Sequence, residues 1–206
     1  DKALSPFDWS DTRQLDYNNT VLQDSMINAM KFWLTGSDID GFRCDVAWNV
    51  PDAFWKKCIP QLRAMKNIFM LAESNKASQQ EDGFDATYPW DEFNMMKLIA
   101  KGERPAFAFD SVVNRVDFAF PKNGLLLYFT SNHDENSWNG SEYEKYGDMA
   151  KALAVFSCTW NGIPLIYSGQ ELPNLKRLKF FEKDAIEWRE NCELHDFYKT
   201  LLNLRK

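Results

Sequence analysis

The sequence predicts an α/β protein built on a parallel sheet, and three observations carry that reading. Short apolar strand candidates alternate with amphipathic helix candidates along the chain, which is the signature of repeated βα units. Polar and acidic residues gather at the C-terminal ends of three of those strands, the rim on which parallel folds build their sites. No apolar run approaches the roughly 20 residues needed to span a bilayer.

The first helix is expected from Asn19 to Leu34, with Asn18 or Asn19 capping its start. Leu22, Met26, Met30 and Trp33 fall on one face of it at helical spacing. A strand from Ile39 to Ala47 follows Gly36, then a turn at Pro51 and a helix from Asp52 to Met65. The strand Ile68 to Glu73 leads into a polar loop, Ser74 to Gly83, which breaks the alternation. Phe84 to Tyr88 is a weaker strand, followed by a helix from Asp91 to Lys101 and more helix from Pro105 to Val116. LLLYFTSN, Leu125 to Asn132, is a strong strand. Glu144 to Trp160 reads as one helix with Met149, Leu153, Phe156 and Trp160 on one side. Ile163 to Ser168 is the last strand, and His195 to Arg205 the closing helix. Leu172 to Cys192, irregular and charged, reads as a surface excursion.

About five strands and about six helices fit two architectures. One is an open doubly wound sheet; the other is part of an eight-stranded barrel, which when complete takes about 250 residues. Five units in 206 residues would be a partial barrel, and periodicity does not choose between the two.

Composition narrows the function. A net charge of −6 without a Lys/Arg-rich run excludes nucleic acid as a partner, because phosphate binding needs clustered positive charge. The chain carries 16 Phe, 8 Trp and 7 Tyr; most must fill the core, but flat rings also suit sugar faces. Cys44, Cys58, Cys158 and Cys192 are scattered without a CxxC pair, and with 2 His they make no zinc set. They read as buried apolar thiols rather than a disulfide framework.

The acids decide more. The first strand ends Gly41-Phe42-Arg43-Cys44-Asp45-Val46-Ala47, the second Leu71-Ala72-Glu73-Ser74, and the third Asn132-His133-Asp134-Glu135-Asn136. Strand alternation puts Arg43 and Asp45 on one face, where the guanidinium holds the carboxylate ionised. A plainer reading makes Arg43–Asp45 only a buried ion pair and Glu73 a helix cap. Three acids at three strand ends weigh against it, and no G-x-S-x-G, G-x-G-x-x-G or G-K-[ST] motif competes. Paired carboxylates without a metal cluster suit glycoside hydrolysis, one stabilising or attacking the sugar cation and the other protonating the leaving oxygen.

These segments resemble the alpha-amylase family of glycoside hydrolases. GFRCDVA looks like that family's nucleophile motif on the fourth barrel strand, LAES its acid/base motif on the fifth, and FTSNHDEN its seventh-strand motif. NGIPLIYSGQE is similar to the eighth strand and its turn, DWSDTRQLDYNN to the loop before the third helix, and FDATYPWDEFNMMKLIAKG to the sixth unit. The resemblance covers nearly the whole chain. It implies a partial (β/α)8 TIM barrel, about strands four to eight with flanking helices. Residues 1–206 would then be a single segment of the catalytic barrel, with the N-terminal half of the barrel and the family's C-terminal β-sandwich lying outside it.

The resemblance also implies roles. Asp45 matches the nucleophile, Glu73 the general acid and then base, and Asp134 the third acid that grips sugar hydroxyls. Arg43 matches the nucleophile's partner, and His133 a hydroxyl-binding donor. The implied reaction is retaining cleavage of α-1,4-linked α-glucan or maltooligosaccharide through a covalent glycosyl-enzyme. Many members carry Lys-His three and four residues after the nucleophile, whereas this chain has Trp48-Asn49. That departure weakens the inference of calcium, which stays an expectation for the intact protein; no metal ligand is assigned within this chain. It also tilts the resemblance toward neopullulanase-like and Bacteroides-type outer-surface amylases, pointing the intact protein outside the cytoplasm. Trp48, and Trp138 in the loop after Asp134, are candidates for stacking on sugar; Tyr88, Trp90 and Trp9 are assigned to the core. Two other readings stay open, a glucosyltransferase or isomerase of the same family and a non-catalytic sugar- or partner-binding remnant.

Overall fold

The computed structural model describes residue 9 and residues 12–205. Within the DWSDTRQLDYNN stretch, Asp8, Ser10 and Asp11 lie outside the described residues. Five parallel strands pair in sequence order, β1-β2-β3-β4-β5, with a helical connection between successive strands, so the chain forms the partial (β/α)8 barrel that the resemblance implies. The strands are β1 (Gly41–Cys44), β2 (Phe69–Ala72), β3 (Ala86–Thr87), β4 (Leu125–Tyr128) and β5 (Ile163–Pro164). The helices are α1 (Thr20–Gly36), α2 (Asp52–Arg63), α3 (Ala77–Glu81), α4 (Trp90–Ala100), α5 (Ala108–Ala119), α6 (Glu142–Tyr146), α7 (Ala150–Thr159) and α8 (His195–Asn203). Among the described residues no helix is long and apolar enough to cross a membrane.

The register of the first two strands matters most. Cys44 pairs with Ala72, and the ladder runs one step further, the Glu73 amide donating to the Cys44 carbonyl at 3.0 Å. Asp45 and Glu73 therefore leave adjacent strands side by side. Close approach here requires a glycine at the start of β1, since a Cβ on Gly41 would sit 1.9 Å from the Phe69 carbonyl oxygen.

Two apolar layers hold the strands. Outward-facing Cys44, Met70 and Ala72 join Ile27, Leu34, Phe54, Cys58, Ile59 and Leu62 of α1 and α2 in one core. Tyr88, Phe93, Met96, Leu127 and Phe129 form another, against which Leu71, Trp90 and Leu165 pack. Burial of such side chains stabilises by about 1.5–3 kcal/mol each.

Local departures from expectation have physical causes. Asn19 is the cap of α1, accepting from the Val21 and Leu22 amides. The buried face of that helix, however, runs through Ile27 and Leu34 with Met30 beside them, while Trp33 is 53% exposed. The helix is apolar on two sides, and the packing of α2 selects one. The loop after Glu73 contains α3, whose Gln79 and Gln80 are buried. Gln79 Nε2 donates to the Ala47 carbonyl at 2.6 Å, and Gln80 Nε2 to Thr87 Oγ1 and the Leu125 carbonyl at 2.9 and 2.8 Å, so polar residues staple this segment to the turn after β1 and to β3 and β4. The single helix expected from Glu144 to Trp160 is broken at Gly147, whose φ of 51° suits a residue without Cβ. Three of the cysteines are buried thiols, and Cys192 is partly exposed.

Candidate active site

Arg43 organises the first half of the site. Its Nη1 bonds Asp45 Oδ1, its Nη2 lies 3.2 Å from Glu73 Oε2, and its Nε donates to the Tyr88 hydroxyl at 3.3 Å. One planar fork thus spans two carboxylates on adjacent strands and a phenol beyond β3, a geometry that lysine does not reproduce. Asp45 is open to solvent, with a side chain 73% exposed, while that of Glu73 is 14% exposed. The difference suits an attacking carboxylate beside a sheltered acid.

Immediately after Asp45 the chain turns sharply. Val46 has φ 45° and ψ 37°, a left-handed conformation that is an outlier for a β-branched residue. Strain of this sort persists only where surrounding structure holds it. What it achieves here is direct: the Val46 amide donates to Glu73 Oε2 at 2.8 Å. Burial pushes the Glu73 carboxyl above its ordinary value; the Val46 bond and Arg43 pull it back, and the charge of Asp45 raises it again. A carboxyl poised by opposed effects of this kind can give and take a proton.

Asp134 belongs to the second half. Asn132, itself buried, accepts from the Asp134 and Glu135 amides at 3.0 and 2.8 Å and so fixes the turn in which Asp134 sits. His133 Nε2 is 3.3 Å from Asp134 Oδ2. Tyr88 links the two halves: burial raises its hydroxyl's pKa, Arg43 lowers it, and Glu73 and Asp134 both raise it. Glu73 and Asp134, from the two halves, thus both act on the Tyr88 hydroxyl.

Beneath that turn lies a buried polar cluster. Glu142 accepts from Thr130, and Gln170 Nε2 donates to Glu142, Thr130 and Tyr198 at 2.6, 2.9 and 3.1 Å. Lys145 donates to the Gly140 carbonyl at 2.7 Å and to Ser131 Oγ at 3.4 Å; burial pulls its pKa down to about 8, opposed by Glu135 and Glu142. These bonds tie the exit of β4 to α6 and to the turn after β5.

The remaining candidates divide. Trp48 sits half-buried in a short 3-10 turn (Ala47–Asn49) after Asp45. Trp138 is exposed and touches Phe180 and Phe181 of the 172–192 excursion. Tyr88 and Trp90 are in the core as expected, whereas Trp9 is 40% exposed and borders a cleft of about 330 Å³. That cleft reaches Asp45 and is also lined by Arg13, Leu15, Tyr17 and Asn49. Tyr88 and the Val46 amide are the site groups that sequence reasoning missed. Tyr88 carried a signal, because it stands at a strand exit as the acids do. Among the described residues no group of three or more His, Cys, Asp or Glu side chains could hold a metal ion, so the residues present offer calcium no such set.

Comparison with known proteins bears on the family and the fold. Residues 6–203 match the family model described as alpha amylase, catalytic domain. The chain belongs to the alpha-amylase family. Alpha-amylase MalA of Haloarcula japonica is 25% identical over 203 residues, covering 97% of this chain and 29% of that protein. Neopullulanase 2 of Thermoactinomyces vulgaris is 29% identical, covering 93% and 34%. Among solved alpha-amylase family structures, the noncanonic maltogenic alpha-amylase AmyB of Thermotoga neapolitana superposes with a TM-score of 0.85 at 28% identity, covering 96% of this chain and 46% of that one. The chain therefore spans about a third of the length of these curated relatives and about half of that solved chain.

Proposed function

We propose that the protein carrying this chain is a retaining α-glucan hydrolase in which Asp45 is the nucleophile and Glu73 the acid/base. The observation that carries the reading is the bridging of both carboxylates by Arg43 at the ends of adjacent strands. Carboxylates carried just past adjacent strands, whose backbones lie about 4.7–4.9 Å apart, are compatible with the roughly 5–5.5 Å separation that retaining glycosidases use. Relatives named cyclomaltodextrinase, neopullulanase and maltogenic alpha-amylase support an α-glucan as substrate.

In this mechanism Glu73 gives its proton to the glycosidic oxygen as the bond to the anomeric carbon breaks, and Asp45 bonds that carbon from the opposite face. Water then attacks the glycosyl-enzyme, Glu73 takes the water's proton, and Asp45 departs as carboxylate. Arg43 bonds Asp45 Oδ1 and so holds the carboxylate in place for attack. Asp134 and His133 receive hydroxyls of the sugar at the cleavage point, and Trp48 offers a ring beside it.

The test is hydrolysis of a nitrophenyl maltoside by the intact protein, with product anomers followed by NMR. Asp45→Asn should lose about a thousandfold or more in kcat, and the wild type should release the α-anomer first. An active Asp45→Asn variant, or initial β-anomer, would overturn the assignment.

A further inference from the structure

Three aromatic rings stand together on the surface where the turn after Asp134 meets the 172–192 excursion. Trp138 lies 5.0 Å from Phe180 and 5.9 Å from Phe181, and the two phenylalanines are 4.9 Å apart. They are 56%, 42% and 73% exposed respectively. A contiguous apolar patch on a charged surface marks a contact site more often than chance.

Its placement is specific. Residues 133–139 form one helical run that passes into a π-turn over Glu135–Asn139, a distortion frequent at functional sites. Trp138 comes four residues after Asp134 in that run, so the two side chains emerge on one face about one turn apart. The phenylalanine pair is brought there by Asn136, which is buried. Its Nδ2 donates to the Lys176 carbonyl at 3.1 Å, and its Oδ1 accepts from the Leu178 amide at 2.8 Å. Arg177 Nε adds bonds to both carboxylate oxygens of Glu144 at 3.1 and 3.0 Å. Beyond the bend, Asp184 takes Lys176 Nζ at 2.5 Å and the Lys179 amide at 3.1 Å. The rings are therefore carried by a backbone fixed on both sides.

We propose that Trp138, Phe180 and Phe181 form a sugar-stacking platform for α-glucan units beyond the cleavage point. The proposal rests on the function proposed above and names a binding subsite for it. The occupant follows from continuity, since Trp138 shares a helical face with Asp134 and the two phenylalanines pack on it, and from chemistry, since the C–H faces of pyranose rings stack on flat aromatic surfaces while their hydroxyls stay wet. The charged Lys179–Glu182 pair at 2.5 Å, in the same bend, supplies polar groups at the rim.

The experiment uses the intact protein carrying Asp45→Asn, so that ligand is bound and not consumed, with maltose and maltoheptaose titrated by calorimetry. Trp138→Ala and the double variant Phe180→Ala/Phe181→Ala should each weaken maltoheptaose binding about threefold to tenfold, with a much smaller change for maltose. Phe181→Trp, which keeps a flat ring, should retain affinity, and Phe181→Leu, apolar without a flat face, should lose it. Unchanged maltoheptaose affinity in the double variant overturns the proposal. So does an equal loss for both sugars, or tight binding by Phe181→Leu. A change of oligomeric state in light scattering with glucan affinity intact would also overturn it, by showing that the rings pack on protein. If the Asp45→Asn protein with its platform intact binds neither sugar, it is the glucan reading itself that fails.

Discussion

The backbone amide of Val46 donates a 2.8 Å hydrogen bond to Glu73 Oε2, joining the residue after one candidate carboxylate to the side chain of the other. The bond exists because Val46 accepts a left-handed φ of 45°, and the two features can be separated by substitution. Val46→Gly keeps the N–H and relieves the strain, and that relief offsets the lost side chain and the greater freedom of glycine when unfolded. Stability should stay within about 1 kcal/mol of wild type, read from urea midpoints, and kcat should survive. Val46→Pro has no N–H and a fixed φ near −65°; kcat should collapse. A folded, fully active proline variant would show that the amide is not needed.

Arg43 sets the protonation of Glu73 as well as its position. Its positive charge lowers the Glu73 carboxyl, against the larger effect of burial. Removing the guanidinium must therefore raise that carboxyl further, and the acid form will persist to higher pH. For Arg43→Gln we expect kcat to fall and the alkaline limb of kcat/KM to move to higher pH. An alkaline limb that stays put or moves down would contradict this electrostatic role.

Gly41 is a steric requirement of the strand pairing. With a Cβ built 1.9 Å from the Phe69 carbonyl oxygen and 2.8 Å from its nitrogen, Gly41→Ala can be accommodated only by parting β1 from β2. The variant should be poorly soluble, or show an unfolding midpoint far below wild type in circular dichroism. A midpoint close to wild type would mean that the ladder can shift without loss.

Lys145 gives stability a pH signature. Its folded pKa is depressed to about 8 from an ordinary 10.5, so between those values the unfolded chain binds the proton more tightly than the fold does. The group's contribution is complete above 10.5 and is lost as pH falls through about 8. The stability difference between wild type and Lys145→Met should therefore grow in favour of wild type across that interval, because the other titrating groups are common to both. Urea unfolding at a series of pH values measures it, and a flat difference would place Lys145 in a wetter setting.

The sequence was most legible where one period dominated. Arg43, Asp45 and Glu73 announced themselves because acids in apolar strands are costly and alternation assigns them a face. Asp134 did so because it follows a long apolar run. The motif resemblance then supplied the barrel that periodicity left undecided. Legibility failed where tertiary context chose between equal local options. The helix α1 has two apolar stripes, and only contact with Phe54, Cys58 and Leu62 picks Ile27 and Leu34. Gln79 and Gln80 look like loop residues until their amides meet carbonyls of the turn after β1 and of β4. The left-handed turn at Val46 leaves no trace in composition, since valine is the last residue such a backbone favours. The 172–192 excursion read as mere surface because the Asn136 clamp that anchors it comes from elsewhere in the chain.

The pairing of Cys44 with Ala72 also sets where the chain tolerates changes of length. Asp45 and Glu73 each lie one residue past that rung, so an inserted or deleted residue within Gly41–Cys44 or Phe69–Ala72 would turn one carboxylate to the opposite face of the sheet. The same edit in the surface turn between α2 and β2 shifts no side chain relative to the ladder. Catalytic competence should therefore be brittle to indels over these two four-residue windows and the turns that follow them, and forgiving in the surface turn between α2 and β2, a pattern that a length-scanning library would reveal without any substitution of a catalytic residue.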